Sequence, residues 1–128
     1  MKTAAQATLL FAISFFSSSA FTTTVHNFAP SLAMEIELPP KDPQIFVNFL
    51  RWEVKGSCEV ISTEAENPIS FKMLKYQGSL NDVVFNPGES LSIIARPGQQ
   101  FILKAKSRAE VEVLNEGSVA IKIKCTAI

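Results

Sequence analysis

The sequence predicts an all-β fold, a single small antiparallel β-sandwich over residues 45–128. Three observations carry that expectation. From Ile45 onward, apolar residues recur at every second position in short runs, the period of a half-buried strand. Glycine or proline punctuates those runs about every 8–12 residues, the spacing of sandwiches and barrels. No segment keeps an apolar stripe of period about 3.6 for three turns, so no helix is expected beyond the N-terminal stretch.

That stretch sets the expected compartment. One basic residue, Lys2, precedes an uncharged run with an apolar core from Leu9 to Phe16, and small residues stand at Ser18 and Ala20. This is the layout of a secretory signal peptide over residues 1–20. The core is shorter than the roughly 20 residues that cross a bilayer, so no transmembrane span is expected after cleavage. The cut is expected after Ala20; Ser31-Leu32-Ala33 offers a second site, after Ala33, behind a long polar stretch. The mature chain is therefore expected to be secreted or periplasmic.

Residues 21–44 read as an irregular leader. They lack sustained periodicity and carry Pro30, Pro39, Pro40 and Pro43, which remove backbone donors. A short edge strand at 34–38 is the exception, because Met34, Ile36 and Leu38 alternate with Glu35 and Glu37. His26, set among threonines and Asn27, is expected to be solvated. IFVNFLRWEV (45–54) reads as one strand ended by Gly56, with CEVIS (58–62) continuing it past a bend. Both of its parities are apolar, so it is either central and covered on both faces or leaves one face for a partner. Trp52, the only tryptophan, is expected in the core, with an interface hot spot as the alternative.

ISFKMLKY (69–76), LNDVVF (80–85), ESLSIIA (89–95), FILKAKS (101–107), AEVEVL (109–114) and VAIKIKC (119–125) supply the remaining strands. Asn86-Pro87-Gly88 and Pro97-Gly98 are turn chemistry of hairpin type, glycine accepting φ > 0. The last two runs, Val111 to Cys125, read as a β-hairpin around Asn115-Glu116-Gly117-Ser118, with Gly117 at positive φ. Val119, Ile121, Ile123 and Cys125 then share the buried face. The runs NPGESLSI and LNEGSVAIKIKC resemble bacterial immunoglobulin-like domains in composition and turn chemistry, which implies an immunoglobulin-like or related sandwich.

Cys58 is the only intrachain partner for Cys125. In an exported chain two inward-facing cysteines are most simply a disulfide, with two free buried thiols as the alternative. Closing so long a loop stabilises the fold by roughly 4 kcal/mol in the chain-entropy model. A structural zinc site needs four Cys or His ligands, and His26 is the sole histidine, so no metal or other cofactor is expected. A Ser-His-Asp triad has only that same leader histidine to use. There is no G-x-S-x-G and no phosphate-cradling glycine loop. The acids are scattered along strand alternations, where solvation explains them. A non-catalytic protein is the expectation, with a small secreted hydrolase third among the function classes.

After loss of Lys2 the chain carries one fewer basic than acidic residue, without the basic surplus of a nucleic-acid binder. The charge is uneven: residues 34–95 hold five basic against nine acidic residues, and residues 96–128 hold six against three. Lys104, Lys106, Arg108, Lys122 and Lys124 are therefore candidate ligand-binding cations for an anionic lipid or glycan surface. Ordinary solubilising edge lysines are the competing explanation. Arg51, Trp52 and Tyr76 are candidate anchors for a protein partner. The functional expectation is a secreted binding module, acting as an effector or inhibitor, that recognises an anionic surface or a protein. The alternative is a structural or assembly subunit that uses the apolar 45–54 strand, including as a homodimer.

Overall fold

The computed structural model describes residues 23–28 and 33–128. Over these the chain is all-β, with eleven strands and no helix. Two sheets pack face to face. The five-stranded sheet runs β1 (Thr24–Asn27), β3 (Gln44–Val47), β10 (Glu110–Asn115), β5 (Asn67–Lys75), β8 (Ser90–Ala95). The six-stranded sheet runs β2 (Ala33–Leu38), β11 (Ile121–Ala127), β4 (Val54–Ile61), β9 (Gln100–Ala105), β6 (Gly78–Leu80), β7 (Val83–Phe85). All pairings are antiparallel except β1 with β3. The arrangement is a β-sandwich. The expected signal peptide, residues 1–20, and the cut site after Ala20 lie outside the described residues.

Alternation chooses the core. Ile69, Phe71 and Met73 of β5 face Phe101 and Leu103 of β9 and Ile121, Ile123 and Cys125 of β11 in one buried cluster. Phe71 and Phe101, one from each sheet, meet edge to face at 5.9 Å between centroids, the geometry the ring quadrupoles favour. Cys58 and Cys125 stand opposite each other on β4 and β11, their sulfurs 2.03 Å apart, at disulfide distance. The pair thus joins two neighbouring strands of one sheet rather than the two sheets.

Several sequence expectations need correction. The leader is not irregular: it supplies β1 as well as β2, and Phe28 between them is buried in the core. Pro39, Pro40 and Pro43 sit in the link after β2, where no ladder donor is lost. His26 is half-buried, with its ring against Phe46 at 5.1 Å and Nε2 2.8 Å from Gln44 Oε1. β10 and β11 are not a hairpin, because they belong to different sheets and residues 116–120 cross between them. Gly117 does not adopt positive φ; its N–H instead donates to Asn115 Oδ1 at 2.9 Å. Gly88 and Gly98 do have φ of +90° and +83°, but in links between sheets rather than in hairpins. The within-sheet hairpin that does occur joins β6 to β7 through Asn81 and Asp82, both at positive φ, as a two-residue type I′ turn requires.

IFVNFLRWEV is broken in two as well. β3 ends at Val47 and β4 begins at Val54, so Phe49 and Trp52 lie in a connection.

Candidate interaction surface

The break after Val47 follows from Asn48. Its side chain is fully buried, and Nδ2 lies 2.8 Å from the carbonyl of Trp52 and 3.1 Å from those of Ala105 and Lys106. Its Oδ1 accepts the N–H of Leu50 at 2.9 Å, an Asx-type turn that takes the chain out of the strand. The Asn48 backbone is held equally firmly, its N–H donating to Ala109 at 3.0 Å and its carbonyl accepting from Arg108 at 2.9 Å. Ser107 Oγ donates to the Leu50 carbonyl at 2.8 Å, and Lys106 N–H to the Gln77 carbonyl at 3.0 Å. Three connections, 48–53, 76–77 and 106–109, are thereby tied together at one end of the sandwich.

That end displays large rings. Phe49, Trp52 and Tyr76 are 58%, 63% and 60% exposed, where a lone tryptophan in so small a domain was expected in the core. Phe49, Tyr76 and Arg108 share one groove of about 290 Å³, with Val47, Lys75 and Glu110 along its sides. Tyr76 and Arg108 are both left-handed, at φ 59° and 67°. For a non-glycine residue this conformation costs about 1–2 kcal/mol. Glycine or asparagine would relieve that cost; the chain carries a phenol and a guanidinium there instead.

The charges at this end divide cleanly. Lys75 pairs with Glu110 at 3.2 Å and Lys106 with Glu53 at 3.5 Å. Among the described residues, neither Arg51 nor Arg108 has a carboxylate within ion-pair distance. Two guanidiniums and three rings are left facing solvent.

The five candidate cations are not gathered into one patch. Lys104, Lys122 and Lys124 do lie on the outer face of the six-stranded sheet, but β4 separates β9 from β11. Lys122 pairs with Glu35 at 3.8 Å and Lys104 with Asp82 at 3.6 Å. Lys124 stands in register between Glu35 and Glu59. Such exposed pairs contribute about 0–1 kcal/mol each; their effect is to cancel the field a cationic patch needs. Lys106 and Arg108 belong to the aromatic end with Arg51, Trp52 and Tyr76, Lys106 already paired with Glu53, whereas Lys104, Lys122 and Lys124 do not. Phe49 and Asn48 were missed from sequence. The available signal was an asparagine in mid-run with large apolar residues of both parities after it, which marks a break as readily as a buried strand.

No family model matches the chain, and no match was found among curated proteins or solved structures. Among the described residues no group of three His, Cys, Asp or Glu is placed to hold a metal, and no helix is long and apolar enough to cross a membrane.

Proposed function

We propose that the chain is an exported, non-catalytic binding module that engages a protein partner through the end of the sandwich formed by residues 48–53, 76–77 and 106–109. The observation that carries this reading is the display of Phe49, Trp52 and Tyr76, each more than half exposed, on connections held in place by the fully buried Asn48. Exposed rings on a rigid frame lose little entropy on binding and make good hot spots, as do arginines. Arg51 and Arg108 beside them favour a partner segment that carries carboxylates. An anionic lipid or glycan surface is less favoured, because the lysine face is interleaved with Glu35, Glu59 and Asp82.

Export is supported by the layout of residues 1–20 and by two buried cysteines at disulfide distance. Cleavage after Ala20 keeps β1 and Phe28, whereas cleavage after Ala33 removes both from the sandwich. Retention of β1 and Phe28 favours cleavage after Ala20 over cleavage after Ala33.

The test is selection of a random peptide library on the immobilised mature domain, alongside sedimentation with phosphatidylserine vesicles. Selected peptides should be rich in acidic residues. Their binding should fall at least tenfold on Trp52→Ala or on Arg51→Gln with Arg108→Gln, and survive the threefold change of Lys104, Lys122 and Lys124 to Gln. Vesicle binding abolished by the threefold lysine change, with peptide selection empty, would replace this reading with the anionic-surface one.

A further inference from the structure

We infer that β8 is a self-pairing edge, through which two copies of this chain join their five-stranded sheets antiparallel into one continuous sheet. Among the described residues the sandwich has four sheet edges, and three of them are blunted. β2 carries Glu35 and Glu37 and runs into Pro39-Pro40; β7 has three residues between Asp82 and Asn86-Pro87; β1 has four. Short length, charge and proline are the usual ways of preventing edge-to-edge pairing. β8 has none of them. Ser90–Ala95 reads SLSIIA, six residues with no charge and no proline, and its register on β5 runs from Asn67↔Ala95 to Lys72↔Ser90 without a bulge. Its far side is a free row of backbone donors and acceptors.

The occupant is indicated by the ends and the inner face of the strand. Glu89 precedes β8 and Arg96 follows it. Antiparallel pairing of two copies brings the Glu89 end of each strand beside the Arg96 end of the other, whereas parallel pairing sets like ends together. A two-fold axis normal to the sheet keeps inward residues inward. Leu91 of one copy then falls against Ile93 or Ala95 of the other. Leu91 and Ile93 point toward the core yet are only partly buried in the single chain. Ile93 also lines a lateral cleft of about 320 Å³, together with Asn81, Ala95 and Phe101 among others. A second β8 completes the burial of Leu91 and Ile93. Ile94 on the outer face and Val83 and Val84 on the neighbouring edge, each about half exposed, make this flank apolar.

The experiment is light scattering coupled to size exclusion over a concentration series of the mature protein, with circular dichroism on every variant. The wild type should pass from monomer to dimer as concentration rises. Ser92→Lys with Ile94→Lys, both on the outer face, should stay monomeric with an unchanged spectrum. Glu89→Arg alone should weaken the dimer at least tenfold, and adding Arg96→Glu should restore it. Because Arg96 also pairs with Glu66 at 2.9 Å, the rescue is read from the double variant against Glu89→Arg and not against the wild type. Amides of Ser90–Ala95 should exchange more slowly at high concentration. A wild type that stays monomeric throughout overturns the inference. So does a dimer that survives the two lysines or is lost on Trp52→Ala, since Trp52 lies at the end of the sandwich and not on this edge.

Discussion

Replacing Asn48 with aspartate changes one NH₂ for one oxygen at constant shape, and the surroundings amplify the exchange. Nδ2 is within 2.8–3.1 Å of three carbonyl oxygens, and the residue is shut off from bulk solvent. Aspartate places an acceptor against three acceptors. Two donated hydrogen bonds are lost, at about 1 kcal/mol each, and the stranded carbonyls add about 1–3 kcal/mol. A buried, unpartnered carboxylate is dearer still, so the folded state holds the new group protonated and its pKa moves up from the usual carboxylate range. The folded state then binds more protons than the unfolded state, and stability must fall as pH rises. The deficit relative to wild type should be small below the unfolded aspartate pKa, about 3.9, where the neutral acid can still donate one hydrogen bond. It should grow by up to about 1.4 kcal/mol per pH unit until the folded pKa is passed.

At pH 7.5 the expected loss is about 3–5 kcal/mol, a drop in Tm of roughly 15–30 °C for a domain of this size. Thermal unfolding of wild type, Asn48→Asp and Asn48→Ala between pH 4.5 and 8 measures it. The alanine variant has nothing to titrate, so its deficit should be flat with pH. An aspartate deficit that is equally flat, or below about 1 kcal/mol at pH 7.5, would refute the account of Asn48 as the buried pin of the aromatic end.

Phe28→Ala should cost about 3–5 kcal/mol, as for other buried aromatic truncations, whereas Trp52→Ala should stay within about 0.5 kcal/mol of wild type; urea titration compares them. Equal costs would mean that β1 does not hold Phe28 in the core. Replacing both Cys58 and Cys125, which lie 67 positions apart in sequence, with alanine should lower stability by about 4 kcal/mol in the loop-entropy model. Non-reducing peptide mass spectrometry of the wild type should recover the two as one cross-linked species. Gly78→Ala should cost about 1–3 kcal/mol or more, because an added Cβ meets Met73 Cε at 2.5 Å and the Lys104 carbonyl at 2.7 Å. A Tm within 2 °C of wild type would show that β6 and β9 can separate freely there.

Alternation made the strands of this fold legible but not their partners. Ile69, Phe71 and Met73, or Ile121, Ile123 and Cys125, must face inward whichever sheet they join, so the pattern gives the buried face and stays silent on sheet membership. That silence is why β10 and β11 read as a hairpin. The tool that would have separated them is Asn115, whose buried Nδ2 reaches the carbonyls of Leu38 at 3.0 Å and Val119 at 2.8 Å and carries the chain across the gap. Asn67 does the same at the start of β5, donating to the carbonyls of Glu64 and Ala95, each at 3.0 Å. Asn48, Asn67 and Asn115 each stand at or just beyond a strand end, whereas in the sequence Asn48 read as the interior of a strand and Asn115 as turn chemistry. The cysteine pairing was legible because only two cysteines exist. The aromatic end was half legible: Arg51, Trp52 and Tyr76 stood out by type, while their gathering depends on the Asn48 break.

The two proposed surfaces have a geometric consequence when taken together. β8 runs antiparallel to β5, so its Ser90 end points toward the aromatic end of the sandwich and its Ala95 end points away. Antiparallel pairing of two β8 strands therefore sends the two aromatic ends to opposite poles of the dimer. Two sites so placed cannot close on one compact partner, and the dimer gains no intramolecular second contact from a single small ligand. What it can do is bridge two partner molecules or two sites on an extended one. A dimer and its Ser92→Lys, Ile94→Lys monomer should thus bind a single selected peptide with the same Kd, and differ only toward a surface that carries many copies of it. There the dimer should be retained far longer, and equal retention would separate edge pairing from any role in recognition.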